Sequence, residues 1–312
     1  MIFEKKYRMR GKALIFALSL LAFSAALSKS YAATDRAEPF ETRSMQIWGK
    51  SVGYQFVLKN DATVKFDGEA FTKELNGQKT PYIVLNKAFF KKEAQEIFHK
   101  FEKSDFKSAA PTDSNLVELE NNLLILKVSQ NEIPKIDATI KASLMDLKNA
   151  LQQLAWSELY HNSVEKTSDH KAAEAMFVEE FAKVRMNTIE YHEVAHLLDL
   201  QSGAYAQDSG FEKFSELNAF YSELTYGSNP RDVVEQAIAG LIDEMNRGKM
   251  IDYSVIKVAT VLKYLKNSSK VASANGGLGT LAKVEKSDFI LAGQNLYQKN
   301  SEPSKLALAN LR

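Results

Sequence analysis

The sequence has no cysteine, only five histidines and only six prolines in 312 residues. Without cysteine the chain forms no disulfide, carries no lipid-attachment cysteine and offers no thiolate ligand. Any metal site must therefore use histidine and carboxylate side chains. The sequence also lacks internal repeats, coiled-coil patterns and low-complexity tracts. The remaining composition, 45% hydrophobic and 25% charged residues, is typical of a globular protein with a sizeable core.

Long apolar runs are also scarce, and the one at residues 13–27 is short for a membrane span. It follows a head rich in lysine and arginine and precedes small residues that end in Ser30-Tyr31-Ala32. This order is typical of a secretory signal peptide. We expect residues 1–32 to be cleaved after Ala32 or Ala33, and the mature chain to be periplasmic or secreted without stable membrane association. The alternative is an uncleaved anchor helix.

The slight excess of positive charge belongs to this leader. Removing residues 1–32 removes six basic side chains and one acidic side chain, which leaves 34 basic against 38 acidic groups and a net charge of −4. A mature chain of this charge has no basic surplus to neutralise phosphates. Nucleic acid is therefore not an expected partner.

Residues 33–130 are predicted to form a small α+β N-terminal subdomain. Residues 34–50 look like a loose N-terminus, and period-two alternation from Ser51 predicts a hairpin that turns at residues 59–61. Further strands are predicted at 81–85 and 123–128. Helical spacing at 88–103 predicts an amphipathic helix, on which we expect His99 to have no metal role.

Residues 131–312 are predicted to form a helical subdomain, so that the fold class is α+β and mostly helical. Apolar residues at spacings of three and four predict a helix at 136–160, and a second helix is expected at 171–185. His161 and His170 bracket a polar connection and are expected at the surface, where a loop residue can also contact substrate. Asn187 with Glu190 resembles a capping box for the next helix, unless that helix continues the previous one.

The motif on this next helix is H-E-x-x-H, at residues 192–196. Residues four apart lie one turn above each other on the same helix face, so His192 and His196 can offer two imidazole nitrogens to one ion. Glu193 lies one step round the helix and can take a proton from water at that ion. The flanking residues are apolar nearly all round, which predicts a buried helix. The alternative is a pair of core histidines satisfied by hydrogen bonds.

A third ligand is expected on the following helix, because catalytic zinc usually has three protein ligands and one open position. Ser209 and Glu212 form a capping box, and Gly227 suits the C-terminal cap. Between them stand two carboxylates on one helix face, Glu216 and Glu223, and both are candidates.

This arrangement resembles the gluzincin metallopeptidases, the thermolysin-like group, over about residues 187–227. The resemblance implies that His192, His196 and Glu216 bind Zn²⁺, that Glu193 is the general base and that the substrate is a peptide or protein. Glu223 remains the rival third ligand. The spacing of metzincins is absent, because position 199 is Asp and position 202 is Ser.

One departure from the thermolysin-like pattern concerns how the histidines are oriented. That group has an acidic residue one turn after the ligand glutamate, where this chain has Phe220. Asp199 or Asn218 can supply the hydrogen bond instead, since ligating histidines usually donate their second N–H to such a partner. The subfamily is therefore left open.

The resemblance implies peptide-bond hydrolysis, in which Glu193 takes a proton from the attacking water and returns it to the leaving amine. A donor for the developing oxyanion is also needed, and four residues near the motif are suitable. The four candidate oxyanion donors are Tyr205, Tyr221, Tyr226 and Arg231.

Two alternative functions remain open. The leading alternative is an exported helical binding or scaffold protein whose H-E-x-x-H is structural or inactive. Another is zinc storage or regulation, which does not need Glu193.

Overall fold

A computed structural model describes residues 40–64, 66–75, 78–104, 106, 138–201, 211–247, 252–267 and 284–309. These residues form a four-stranded sheet near the N-terminus and seven helices. The predicted class, α+β and mostly helical, is confirmed. The predicted signal peptide (1–32), the strand at 123–128 and the subdomain boundary near 130 lie outside the described residues.

The sheet consists of four strands, β1 (Glu41–Ile47), β2 (Lys50–Lys59), β3 (Gly68–Leu75) and β4 (Gln78–Asn86). Their order in the sheet is β1-β2-β4-β3. Strand β1 pairs antiparallel with β2, β2 pairs parallel with β4, and β3 pairs antiparallel with β4. Strand β3 is therefore outermost on one side among the described strands.

The N-terminal part corrects two predictions. Residues 41–47, expected to be loose, form β1, and the hairpin turn lies at Trp48-Gly49 and not at residues 59–61. Trp48 and Gly49 both have positive φ, 52° and 74°, which fits the tight turn that joins two twisted antiparallel strands. The Trp48 ring also stacks on the ring of Tyr297, with 3.7 Å between the ring centroids. A tertiary contact therefore stabilises this turn, which the residue types Trp-Gly predict only weakly.

Helices make up the rest of the described chain. Pro230 occupies the first turn of the helix Pro230–Asn246, where its missing N–H costs nothing. The seven helices are α1 (Lys87–Glu102), α2 (Ala138–Glu165), α3 (His170–Gln201), α4 (Phe211–Tyr226), α5 (Pro230–Asn246), α6 (Asp252–Asn267) and α7 (Lys286–Ala309).

Helix α3 carries the H-E-x-x-H motif and is continuous over 32 residues, so the chain does not start a new helix at Asn187. Glu190 has a different role from helix capping. Its carboxylate accepts hydrogen bonds from the Tyr54 hydroxyl at 2.5 Å and from Arg43 Nη1 at 2.9 and 3.1 Å. These bonds join strands β1 and β2 to the motif helix.

The sheet packs on α3 through a shared apolar core, in which Ile83 and Leu85 of β4 join Val194 and Leu197 of α3. A second core lies among α2, α4, α5, α6 and α7. A third joins α1, α2 and the N-terminal half of α3. The motif helix is thus buried between the sheet and the other helices, as its apolar flanks predict.

Candidate metal centre on helices α3 and α4

The two motif histidines face one another on α3. The Nε2 atoms of His192 and His196 lie 3.0 Å apart, and their ring planes are inclined at 79°. Residues at positions i and i+4 bring the two rings to one face, as the helical repeat requires. Both side chains are mostly buried, with 17% and 19% of their surface exposed.

Helix α4 brings Glu216 to the same place. Its Oε1 lies 3.6 Å from His196 Nε2, and one ligand atom from each of His192, His196 and Glu216 lies within 4.8 Å of the other two. Among the described residues, this is the one group of three or more His, Asp or Glu side chains that converges in this way. The structure therefore places the three predicted ligands together.

The outward-facing nitrogen of each imidazole is also engaged. Glu223 on α4 contacts Nδ1 of His192, and Ser215 Oγ lies 2.8 Å from Nδ1 of His196. With Nδ1 as the hydrogen-bond donor on both rings, the Nε2 atoms are left to face the shared point. Glu223 thus lies on the side of His192 away from that point, where it orients the ring.

Asp199 and Asn218, proposed as orienting residues, form a pair behind Ser215. Asn218 Nδ2 donates to both oxygens of Asp199 at 3.1 and 3.3 Å. Ser215 also hydrogen-bonds this carboxylate, whose pKa burial raises to about 6. The path from Asp199 to His196 therefore runs through the Ser215 hydroxyl.

A lysine from α6 completes the surroundings of Glu216. Lys257 Nζ donates to Glu216 Oε2 at 3.0 Å, while Oε1 of the same carboxylate faces His196. Burial disfavours the charged carboxylate, but Lys257 and the two imidazoles outweigh it and bring the pKa of Glu216 to about 2. Glu216 is thus held ionised, as a metal ligand must be.

The pKa values of the two imidazoles shift in opposite directions. Burial disfavours the charged form of His192, but the nearby carboxylates, Glu223 first, outweigh it and raise its pKa to about 9. For His196, burial and the adjacent charged ring lower the pKa to about 3. One proton between the two Nε2 atoms accounts for their 3.0 Å separation, and a bound metal ion would replace it.

The Glu193 carboxylate lies close to the start of β3 and within electrostatic range of His192 and Glu216. Burial raises its pKa to about 7, against the charge of His192. A Cβ built on Gly68 would lie 3.2 Å from Glu193 Oε1 and 2.7 Å from the Ile189 side chain, so only glycine lets β3 pass this close. A carboxylate of this pKa can gain and lose a proton near neutral pH.

Each predicted oxyanion donor in the described chain has a partner elsewhere. Tyr221 is buried in the helical core and hydrogen-bonds Thr260. The Tyr226 hydroxyl accepts a hydrogen bond from the backbone N–H of Trp48. Arg231 donates to the carbonyl of Val284 at 2.8 Å, and Tyr205 lies outside the described residues. None of these three hydrogen bonds involves His192, His196 or Glu216.

A cavity of about 370 Å³ lies at the N-terminal ends of α5 and α7, beside α2. Trp156, Asn229, Arg231 and Lys286 are among its lining residues. None of the three candidate ligands lines it. This cavity and the H-E-x-x-H site are thus separate features.

Sequence reasoning missed two residues of the site, Ser215 and Lys257. Ser215 precedes Glu216 directly, and a hydroxyl beside a candidate ligand was a usable signal. Lys257 is 41 residues from Glu216 and on another helix, so no local pattern connects them.

Compared with models of known protein families, with curated proteins and with solved structures, the chain has no match in any of the three. None of the described helices combines the length and apolar character that crossing a membrane requires. Function is therefore inferred from the geometry of the site.

Proposed function

We propose that this chain is an exported zinc-dependent metallopeptidase of the gluzincin type, which hydrolyses peptide bonds. The observation that carries the proposal is the convergence of one ligand atom each from His192, His196 and Glu216 within 4.8 Å. Glu193 follows His192 directly in the sequence and interacts electrostatically with it. Export is supported by the basic head and short apolar run of residues 1–32.

The donor set fits zinc. Two imidazole nitrogens and one carboxylate oxygen form a common catalytic zinc set, and ligands of a tetrahedral zinc lie about 3.3 Å apart at bond lengths near 2.0 Å. The separations here are 3.0 Å between the two Nε2 atoms and 3.6 Å from His196 to Glu216. When bound, zinc supplies a Lewis acid that polarises a carbonyl and makes water more acidic.

The proton transfers belong to Glu193. Its carboxylate adjoins the ligands in sequence, and burial places its pKa near 7. In its ionised form Glu193 accepts a proton from the attacking water, and in its neutral form it returns that proton to the leaving amine. His192 and His196 keep their orientation meanwhile, because Glu223 and Ser215 hold their Nδ1 atoms.

A peptide substrate is favoured by the position of β3. This strand is outermost among the described strands of its sheet, and its first residue, Gly68, approaches Glu193. An edge strand presents unpaired backbone N–H and C=O groups to an extended chain, which gives sequence-tolerant recognition. Backbone pairing here would carry a peptide bond toward Glu193.

One observation favours the alternative, an exported helical binding or scaffold protein with an inactive H-E-x-x-H. Within the described chain, every candidate ligand already has a protein partner: Glu223 for His192, Ser215 for His196 and Lys257 for Glu216. Such a network can stabilise α3 against α4 without a metal ion.

The test is hydrolysis of an unfolded protein such as casein by the full chain supplied with zinc. Glu193→Gln should lower the rate by about a hundredfold or more, because it removes the base but keeps the side-chain shape. Zinc binding should be retained. The matched control is Glu180→Gln, which changes an exposed glutamate on the same helix and should keep the parental rate.

Two outcomes would contradict the proposal. The first is an unchanged rate in Glu193→Gln, which would show that hydrolysis comes from elsewhere. The second is a parent chain that binds zinc but cleaves neither casein nor a mixed peptide library, which would favour the binding or scaffold alternative.

A further inference from the structure

Two other histidines meet at the far end of α3. His99 and Glu102 lie in the last turn of α1, and His170 and Glu174 lie at the start of α3. His170 precedes His192 by 22 residues on one continuous helix, a rise of about 33 Å at 1.5 Å per residue. The two histidine pairs are therefore separate sites.

The four side chains form a continuous chain of contacts across the two helices. Glu102 receives one imidazole on each oxygen: Oε2 lies 3.0 Å from His99 Nδ1, and Oε1 contacts His170 Nε2. The other nitrogen of His99, Nε2, lies 4.0 Å from Glu174 Oε1. Each imidazole is thus next to a carboxylate, and one carboxylate is shared.

The backbone holds these groups in a fixed arrangement. His99 and Glu102 are three residues apart and His170 and Glu174 are four apart, so each pair lies on one helix face. Phe98 is fully buried between the helices, and its ring centroid lies 6.2 Å from that of His99 and 5.7 Å from that of His170. The core beneath them keeps α1 against α3.

The ends of the four side chains are partly open to solvent. The imidazoles of His99 and His170 are 50% and 59% exposed, and the carboxylates of Glu102 and Glu174 are 28% and 21% exposed. The four groups now lie in a row and do not surround one point. Binding one ion with all four groups therefore requires their side chains to rotate from this row.

The contacts across α1 and α3 reverse the expectation that His99 has no metal role, because its partners come from a helix distant in sequence. We propose that His99, Glu102, His170 and Glu174 form a second divalent-metal site, called here the α1–α3 site. Two imidazoles with two carboxylates suit Zn²⁺, Ni²⁺ and Cu²⁺ better than Mg²⁺ or Ca²⁺, which prefer all-oxygen ligands. A metal ion at this site ties the C-terminal end of α1 to the N-terminal end of α3. The proposal does not depend on peptidase activity.

The experiment measures zinc bound to the full chain by equilibrium dialysis, together with the melting temperature with and without zinc. The starting variant is His192→Ala/His196→Ala, which lacks the H-E-x-x-H ligands. It should still bind one zinc ion and melt at a higher temperature with zinc, since an ion bound to the folded state stabilises it. Adding His99→Ala/His170→Ala should remove both the bound zinc and the temperature gain.

Two further variants guard against loss of folding and non-specific binding. In the parent background, Glu102→Gln keeps the side-chain shape but removes a charged ligand. This variant should bind one zinc ion fewer than the parent and should keep the ion at the H-E-x-x-H site. His161→Ala removes another exposed histidine, on α2, and should change neither measurement.

The α1–α3 site is overturned if the His192→Ala/His196→Ala chain binds no zinc, or if its zinc is unaffected by His99→Ala/His170→Ala. It is also overturned if adding His99→Ala/His170→Ala to the starting variant lowers its melting temperature by the same amount with zinc as without zinc. The residues would then stabilise the fold as ion pairs only. None of these outcomes bears on hydrolysis, which is tested by Glu193→Gln.

Discussion

The Nδ1 atoms of the two motif histidines are held by different partners. His192 faces a carboxylate, Glu223, whereas His196 faces the hydroxyl of Ser215, which passes the hydrogen bond on to Asp199. Partners of this kind set the tautomer and direction of a ligating imidazole. Ser215 is therefore a positioning residue for His196.

Replacing Ser215 by alanine should weaken zinc binding about tenfold, because His196 loses the partner of its Nδ1. The measurement is zinc affinity from competition with a chelator. Ser222→Ala is the matched control, since Ser222 is a buried serine on the same helix whose hydroxyl donates to the Tyr191 carbonyl. Equal weakening in both variants would contradict the positioning role.

The sequence predicts the site in part. The spacing of His192 and His196 suffices to bring their rings together, because a helix repeat does so in any context. Choosing between Glu216 and Glu223 needs the packing of α4 on α3, which places the first beside His196 and the second at the far nitrogen of His192. Lys257 enters from a helix that no local pattern links to the motif.

Helix α7 supports the ligand helix α4 through a close contact at Gly293. A Cβ built there would lie 2.5 Å from Thr225 Oγ1, 2.9 Å from the Tyr221 carbonyl oxygen and 3.0 Å from Leu224 Cβ. Two of these are atoms that cannot move without shifting the backbone of α4. A glycine is needed for the two helices to approach this closely.

Gly293→Ala should lower the free energy of unfolding by about 1–3 kcal/mol, the usual cost of overpacking. Gly240→Ala on α5 should instead raise it by about 0.5–1 kcal/mol, because nothing lies within 4 Å of its Cβ position and alanine is the better helix former. Urea unfolding of both variants checks the two signs. Stabilisation by Gly293→Ala would show that α4 and α7 do not approach closely here.

Most helices are predictable from their apolar spacing, but strand β1 is not. Residues 41–47 are mainly polar and exposed, so their alternation is weak, and only Ile47 is fully buried. The strand is defined by pairing with β2 and by the bonds of Arg43 to Glu190 on α3. Such contacts are long-range, and local propensity does not reveal them.

A buried network of charges joins the helices around Arg185. This side chain on α3 donates to Asp232 on α5 at 2.8 Å and to Glu93 on α1 at 3.3 Å. Trp156 on α2 also donates to Asp232, at 3.0 Å. Glu235 is fully buried near Asp232, and Lys148 Nζ lies 3.5 Å from its Oε1. Three carboxylates thus share two cations, and Arg185, Asp232 and Glu235 are the buried members of the network.

Burial and the neighbouring Asp232 raise the pKa of Glu235 above its ordinary value of 4.5. The folded chain therefore keeps a proton that the unfolded chain releases, and this contribution to stability falls as pH rises from 4.5 through neutrality. In Glu235→Gln the free energy of unfolding should fall less steeply with pH than in the parent, by up to about 1.4 kcal/mol per pH unit. The measurement is the free energy of unfolding in urea between pH 5 and pH 8, the range in which unfolding releases about one proton from Glu235.

Glu96→Gln, at an exposed site on α1, is the control and should leave the decline unchanged. If Glu235→Gln leaves the same pH dependence as the parent, Glu235 is ionised in the folded chain and Lys148 dominates its surroundings.

The metal centre is tested most directly by anomalous scattering at the zinc edge from crystals of the full chain grown with zinc. We expect a peak about 2.0–2.2 Å from Nε2 of His192, Nε2 of His196 and a carboxylate oxygen of Glu216. Glu223 should remain at Nδ1 of His192. The absence of a peak between the two histidines, or a peak bound by Glu223 in place of Glu216, would contradict the proposed centre.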